Sequence, residues 1–345
     1  MDYKEPISSG NPFRTEYQNS IERLVCKRRE QFDKISLENA ARFKNGDKLR
    51  NEFTELLGWP LTEYSLSVPN VRKIKVAESG GITVYRVQIE VFADFWFYGI
   101  LFVREDGIAR PLVIAQHGGD GTPELCSSLE PNGSSNYNDM TKRLLRQDVN
   151  VFAPQLLLWN VRKYFPESGK EDLQRHQLDN RLKQCGGSIT ALEIYCLRKS
   201  LDWLCVQPFV IPDKVGMAGL SYGGFYTLYT AAVDTRIKAA LSCSFFNDRG
   251  IYCWNDWVFQ SKQSFFDPEV AMLCCPRPLF IAVGENDPLF LADSARAEAE
   301  RLRALSVSAY GSADWFSFYS FDGGHEFIKN DELLLRFIRE IRGKE

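Results

Sequence analysis

Lys214-Val215-Gly216-Met217-Ala218-Gly219-Leu220-Ser221-Tyr222-Gly223-Gly224-Phe225 is the stretch that decides how this chain is read. A short apolar run, 214–218, ends in Gly219-Leu220-Ser221-Tyr222-Gly223, a G-x-S-x-G pattern. Small residues then open an apolar stretch, 222–233, of helical character. Strand, tight turn and helix in that order force a strained backbone at the central serine, and the flanking glycines make room for it. The turn lifts the Ser221 hydroxyl to the edge of a sheet, within reach of a base. Five residues of pattern are weak evidence alone, and it is the strand before and the helix after that give them meaning.

The same rhythm extends in both directions. Residues 189–205 form an amphipathic helix ahead of the serine strand, and 237–243 is the next apolar strand after it. Further short apolar strands are expected at 111–116, 149–153, 279–283 and 316–321, with helices at 138–146, 294–305 and 331–342. Nearly unbroken apolar strands alternating with helices imply an α/β fold whose parallel sheet is buried on both faces. Ahead of this lie three β-branched or aromatic runs, 71–77, 83–92 and 96–103, divided by Gly80-Gly81 and Ala93-Asp94. They predict antiparallel strands leading into the sheet.

The first part of the chain is helical. In 20–44, Ile21, Leu24, Val25, Phe32 and Ile35 recur at three- and four-residue spacing, and a second helix over 48–57 stops at Gly58 with Pro60 beyond it. The expected division is a helical N-terminal extension, 1–65, and a main domain, 66–345. Two segments break the strand–helix rhythm, at about 156–188 and 247–266. Long segments of this kind inside compact domains are usually functional. They carry Trp159 and Trp254 with Trp257, which are the expected substrate-binding residues.

A serine hydroxyl needs a base to take its proton. The chain has three histidines, His117, His176 and His325. His325 follows the last expected strand in Phe321-Asp322-Gly323-Gly324-His325, where two glycines let the backbone reach back across the sheet edge. The imidazole in turn needs a carboxylate to fix its tautomer. Asp287 lies just past the 279–283 strand in Gly284-Glu285-Asn286-Asp287-Pro288, with Glu285, Asp293 and the more distant Asp248 as competitors. Gln116-His117-Gly118-Gly119 follows the 111–116 strand. Gly118 or Gly119 there, with Tyr222 beside the serine, would supply backbone N–H groups to a developing oxyanion. His117 is read as a brace for this loop and His176 as an exposed residue.

Composition narrows the classes. Charged residues make up 25% and apolar residues 44%, with a formal net charge of −3 and no long basic run, which disfavours nucleic-acid binding. No apolar run approaches the length of a membrane span. The start lacks the apolar core of a secretory signal, so a cytoplasmic location is expected. The nine cysteines sit mostly in apolar stretches and form no C-x-x-C pair, as expected of reduced thiols packed as small hydrophobes.

On these residues the chain resembles the α/β-hydrolase superfamily, and within it the dienelactone hydrolase and acetyl xylan esterase-like branch. The resemblance spans about 71–342 and is carried by Gln116-His117-Gly118-Gly119, the serine stretch through Ala240, and Cys275-Pro276-Arg277-Pro278 through Asp287. It implies a mostly parallel, eight-stranded sheet, a Ser221–Asp287–His325 triad, and neither cofactor nor metal. One departure stands out. Pro154-Gln155-Leu156-Leu157-Leu158-Trp159 replaces the Asp and Gly-rich turn of many relatives, which bears on the shape of the pocket.

The expected function is cleavage of a carboxylic ester, with a short acyl group such as acetyl on a sugar favoured by the resemblance. The expected partner is a small-molecule ester, with a homo-oligomer left open. Two other readings stand beside it. One is a serine peptidase of the prolyl-oligopeptidase kind, for which the roughly 110 residues before the sheet leave little room for the usual extra domain. The other is a catalytically silent hydrolase fold acting as a binding protein.

Overall fold

The computed structural model describes residues 2–131, 135–157, 175–251 and 265–343. Trp159, Trp254 and Trp257 lie outside the described residues, as does most of the two segments that break the rhythm.

One sheet organises the described residues. Its strands are β1 (Val71–Ser79), β2 (Ile82–Phe92), β3 (Phe95–Val103), β4 (Arg110–Gln116), β5 (Asn150–Pro154), β6 (Val210–Leu220), β7 (Ile237–Cys243), β8 (Leu279–Gly284) and β9 (Phe316–Phe321). They lie in the order β1-β2-β3-β5-β4-β6-β7-β8-β9. β1, β2 and β3 run antiparallel to one another, and β3 runs antiparallel to β5. From β5 to β9 every neighbouring pair is parallel. The sheet therefore has nine strands, where the resemblance implied eight. The difference lies at the antiparallel edge, where β1 adds a mostly exposed strand to β2.

β4 and β5 are buried along their whole length, as a parallel sheet covered on both faces requires. On one face, helices Ile189–Leu204, Tyr222–Val233 and Ala292–Tyr310 share a core with Phe43, Phe53 and Leu57 from the N-terminal region. On the other, Met140, Leu144, Phe337 and Ile338 cover Ala218, Leu220 and Leu241. Helix Gly46–Leu57 thus belongs to the sheet's own core. Helix Asn11–Glu38 begins earlier than its apolar spacing suggests, at Asn11-Pro12, because proline at the first turn is itself a start signal. It buries only Phe32 and Ser36. Arg29 anchors it, reaching Glu298 at 3.0 Å and lying 3.9 Å over the Phe266 ring. Among the described residues, no helix is long and apolar enough to cross a membrane.

Register brings the strand ends together. Gln116 lies opposite Gly219, Leu220 opposite Cys243, Cys243 opposite Ala282, and Gly284 opposite Phe321. The loops leaving β4, β6, β8 and β9 consequently open on one edge of the sheet. Open α/β sheets place their ligands at this carboxyl edge.

Candidate active site

Ser221 terminates β6 and caps helix Tyr222–Val233, with φ 60° and ψ −122°. Positive φ at a residue with a Cβ is costly and persists only where the surroundings impose it. Here the imposition is visible. A Cβ on Gly223 would fall 2.2 Å from the Gln116 carbonyl oxygen, so the turn packs backbone against backbone on the end of β4. The Ser221 N–H donates to the Cys243 carbonyl at 2.8 Å, tying the turn to β7.

His325 and Asp287 meet on the same edge. His325 Nδ1 lies 2.9 Å from Asp287 Oδ2. The other carboxylate oxygen accepts the N–H groups of Leu289 at 2.9 Å and Phe290 at 3.0 Å. An Asp that accepts from the second and third residues after it is the turn that an Asp-Pro pair favours. Burial opposes the Asp287 charge, but the bond to His325 and these backbone donors outweigh it and hold the carboxyl below its usual range. The competitors are engaged elsewhere. Glu285 and Asp293 pair with Arg296 at 3.0 and 2.6 Å, and Asp248 pairs with Arg29 at 3.3 Å.

The His325 loop is fastened from three directions. A Cβ on Gly284 would fall 2.3 Å from the Gly324 carbonyl oxygen, so β8 ends directly against the loop. The Glu326 carbonyl accepts from Ser244 Oγ at 3.1 Å. The Asn138 amide donates to Glu326 Oε2 at 2.8 Å, and the Phe327 N–H donates to the Asn136 carbonyl at 2.7 Å. Among the described residues the Ser221 hydroxyl makes no hydrogen bond, and resting sites commonly close that contact only with substrate in place.

The loop after β4 separates its two glycines. The Gly118 N–H donates to the Tyr137 hydroxyl at 2.9 Å, which removes it from the pair of expected oxyanion donors. Gly118 instead acts by proximity, since a Cβ there would stand 3.1 Å from the Ser221 Cβ. Gly119 lies against the Tyr222 ring, and among the described residues its N–H has no acceptor. The Tyr222 N–H belongs to the first turn of its helix, where amides have no intrahelical acceptor.

His117 is wholly buried and braces this loop, as read from the sequence. Its Nδ1 lies 2.8 Å from the Gly118 carbonyl, and its Nε2 accepts the Leu156 N–H at 3.0 Å. That pattern requires the neutral ring protonated at Nδ1. Burial pushes its pKa down to about 4, which keeps it neutral. His176 is exposed. The eight described cysteines are free, and Cys126, Cys196, Cys243 and Cys274 are buried.

Three contributors escaped the sequence reading. Tyr137 holds Gly118, Phe290 stacks on His325, and Arg175 lies over Tyr222 at 5.6 Å while pairing with Glu193 at 2.7 Å. Phe290 had a signal, the Asp-Pro-x-Phe turn. The other two are long-range contacts without a local pattern.

Known proteins resemble this chain in sequence and in fold. The sequence profile of the dienelactone hydrolase family matches residues 130–332. The chain belongs to that family. A relative in Bacillus subtilis (strain 168), YtaP, provisionally named a hydrolase, is 30% identical over 152 residues, 41% of this chain. The chain spans half the length of that curated relative. Among solved structures, a glucuronoyl esterase from Solibacter usitatus aligns over 86% of this chain and 92% of its own, with a TM-score of 0.64 at 13% identity. Acetyl xylan esterase 1 from Thermoanaerobacterium sp. JW/SL YS485 aligns over 87% and 94%, with a TM-score of 0.55 at 14% identity. At those identities the likeness is one of fold, that of an α/β-hydrolase.

Proposed function

We propose that this dienelactone hydrolase family member cleaves carboxylic esters with Ser221 as nucleophile, His325 as general base and acid, and Asp287 as the carboxylate that orients the imidazole. The observation that carries this reading is the 2.9 Å bond between His325 Nδ1 and Asp287 Oδ2, on the sheet edge where Ser221 is held at φ 60°.

Proton bookkeeping follows from that bond. With Nδ1–H donated to Asp287, Nε2 is the lone-pair nitrogen and can take the Ser221 proton as Oγ attacks the ester carbonyl. The carbonyl oxygen gains negative charge, and the Gly119 and Tyr222 N–H groups are the donors this reading assigns to it. The imidazolium, stabilised by the Asp287 carboxylate, returns the proton to the leaving alcohol. Water, activated by the same nitrogen, then releases the acid from the acyl-serine.

Short acyl groups, acetyl above all, are the favoured substrates, and an acylated sugar is the favoured class. Support for this finer reading is analogy with the named esterases that share the fold. The test is a panel of methyl, ethyl and sugar acetates against longer acyl esters, and against a peptide amide. Hydrolysis of acetates, lost in Ser221→Ala, is expected. Cleavage of the amide with no action on any ester would overturn it.

A further inference from the structure

A cavity stands on the same sheet edge as Ser221. β3 runs antiparallel to β5, with Gly99 opposite Pro154, so the start of β3 arrives where β5 ends. Between them and helix Ile189–Leu204 lies a cavity of about 320 Å³, walled by Trp96, Phe97, Leu156, Leu178, Leu192 and Glu193 among others. It shares structure with the candidate site. The Leu156 N–H bonds His117, which in turn bonds the Gly118 carbonyl beside Ser221. Between the cavity and Tyr222 lies the Arg175–Glu193 ion pair.

We propose that this cavity holds an uncharged aryl group of the ester substrate. The inference rests on the Ser221 reading of an ester hydrolase and departs from the acetylated-sugar analogy, setting in its place an ester that carries an aryl group on its acid or its alcohol. The cavity's polar groups are already engaged. Glu193 accepts from the Leu157 N–H at 2.5 Å and pairs with Arg175, and the Gln155 amide donates to the Leu156 carbonyl at 2.5 Å. A sugar ring would surrender its hydration there without gaining partners, and a carboxylate would meet Glu193. An aryl ring loses nothing by leaving water, and the apolar wall residues Phe97, Leu156, Leu178 and Leu192 offer it surface to pack against. The volume falls within the range of small-molecule pockets.

Leu192 and Leu178 are half-buried and lie on different helices, so Leu192→Trp and Leu178→Trp each fill the cavity from a separate wall. Methyl acetate, benzyl acetate and methyl benzoate are the substrates to compare, with circular dichroism melts checking that both variants fold. For the ester whose ring occupies the cavity, kcat/KM falls by about tenfold or more in both variants. Methyl acetate stays within about twofold of wild type. A loss confined to benzyl acetate places the ring on the alcohol, and one confined to methyl benzoate places it on the acid. Undiminished hydrolysis of both aryl esters overturns the proposal. Wild-type protein that cleaves no ester counts against the Ser221 reading instead. The cavity is then judged by saturation-transfer NMR of benzyl acetate on Ser221→Ala. Binding lost on adding Leu192→Trp supports the cavity, and equal binding in both overturns it.

Discussion

The Phe290 ring lies flat against the His325 imidazole, with centroids 5.7 Å apart and planes 16° apart. The same residue donates its N–H to Asp287 Oδ1 at 3.0 Å, and Phe245 packs edge-on against its ring at 5.7 Å. One buried side chain thus steadies the imidazole from its face while its backbone steadies the carboxylate that holds the imidazole edge.

Phe290→Leu keeps an apolar filling and removes the flat surface. An aromatic pair of this kind is worth about 0.5–1.5 kcal/mol, so kcat on a small ester is expected to fall roughly 2- to 12-fold with KM unchanged. In an Asp287→Ala background the same change should cost little more, because both act through His325. Steady-state kinetics on the four proteins of this cycle decide it, and additive losses would refute a shared role.

Asp287→Asn leaves the shape and reverses the hydrogen-bond preference toward Nδ1. By the general behaviour of such triads, kcat should fall by about 10⁴ while the fold persists. Equivalent losses at Glu285→Gln or Asp293→Asn would mean the wrong carboxylate had been chosen, and these two should retain activity within about twofold.

Tyr137→Phe deprives the buried Gly118 N–H of its acceptor. An unsatisfied buried donor costs about 1–3 kcal/mol, and that loss should appear in urea unfolding. The loop bearing Gly119 is loosened as well, so kcat should decline further than for a surface Tyr→Phe control.

His117 links acid stability to the same loop. Its folded-state pKa is depressed to about 4 by burial, so the unfolded chain takes a proton that the native chain refuses. Stability from the neutral ring is therefore complete above the unfolded value of about 6.5 and is lost as pH falls toward the folded one. Between pH 7 and pH 5 the loss should be about 2 kcal/mol at this residue. Urea titrations at both values should show that slope in wild type and a flatter one in His117→Gln.

The sequence carried the frame of the molecule because periodicity and turn chemistry are local. The runs at 237–243 and 316–321 are strands with those bounds, and 222–233 and 331–342 are helices with those bounds. β6 begins at Val210, four residues before the expected 214, because Pro212 and Asp213 look like a turn when their exposed position at the strand's start is unknown. The short helix Asp267–Met272 went unread, since six residues are too few to show a period. The division of labour between Gly118 and Gly119 was invisible for a different reason. It depends on a tyrosine 19 residues away whose hydroxyl meets one amide and not the other. Contacts between distant segments leave no local signature, whereas the place of Phe290 beside Asp287 was marked locally by the Asp-Pro-x-Phe turn.

The central claim is that Ser221 is a nucleophile activated by His325, and intact-mass analysis after treatment with a fluorophosphonate tests it most directly. Wild-type protein should gain a single adduct, absent from Ser221→Ala and His325→Ala. Folded wild-type protein that takes no adduct, or an adduct that persists in Ser221→Ala, would contradict the account.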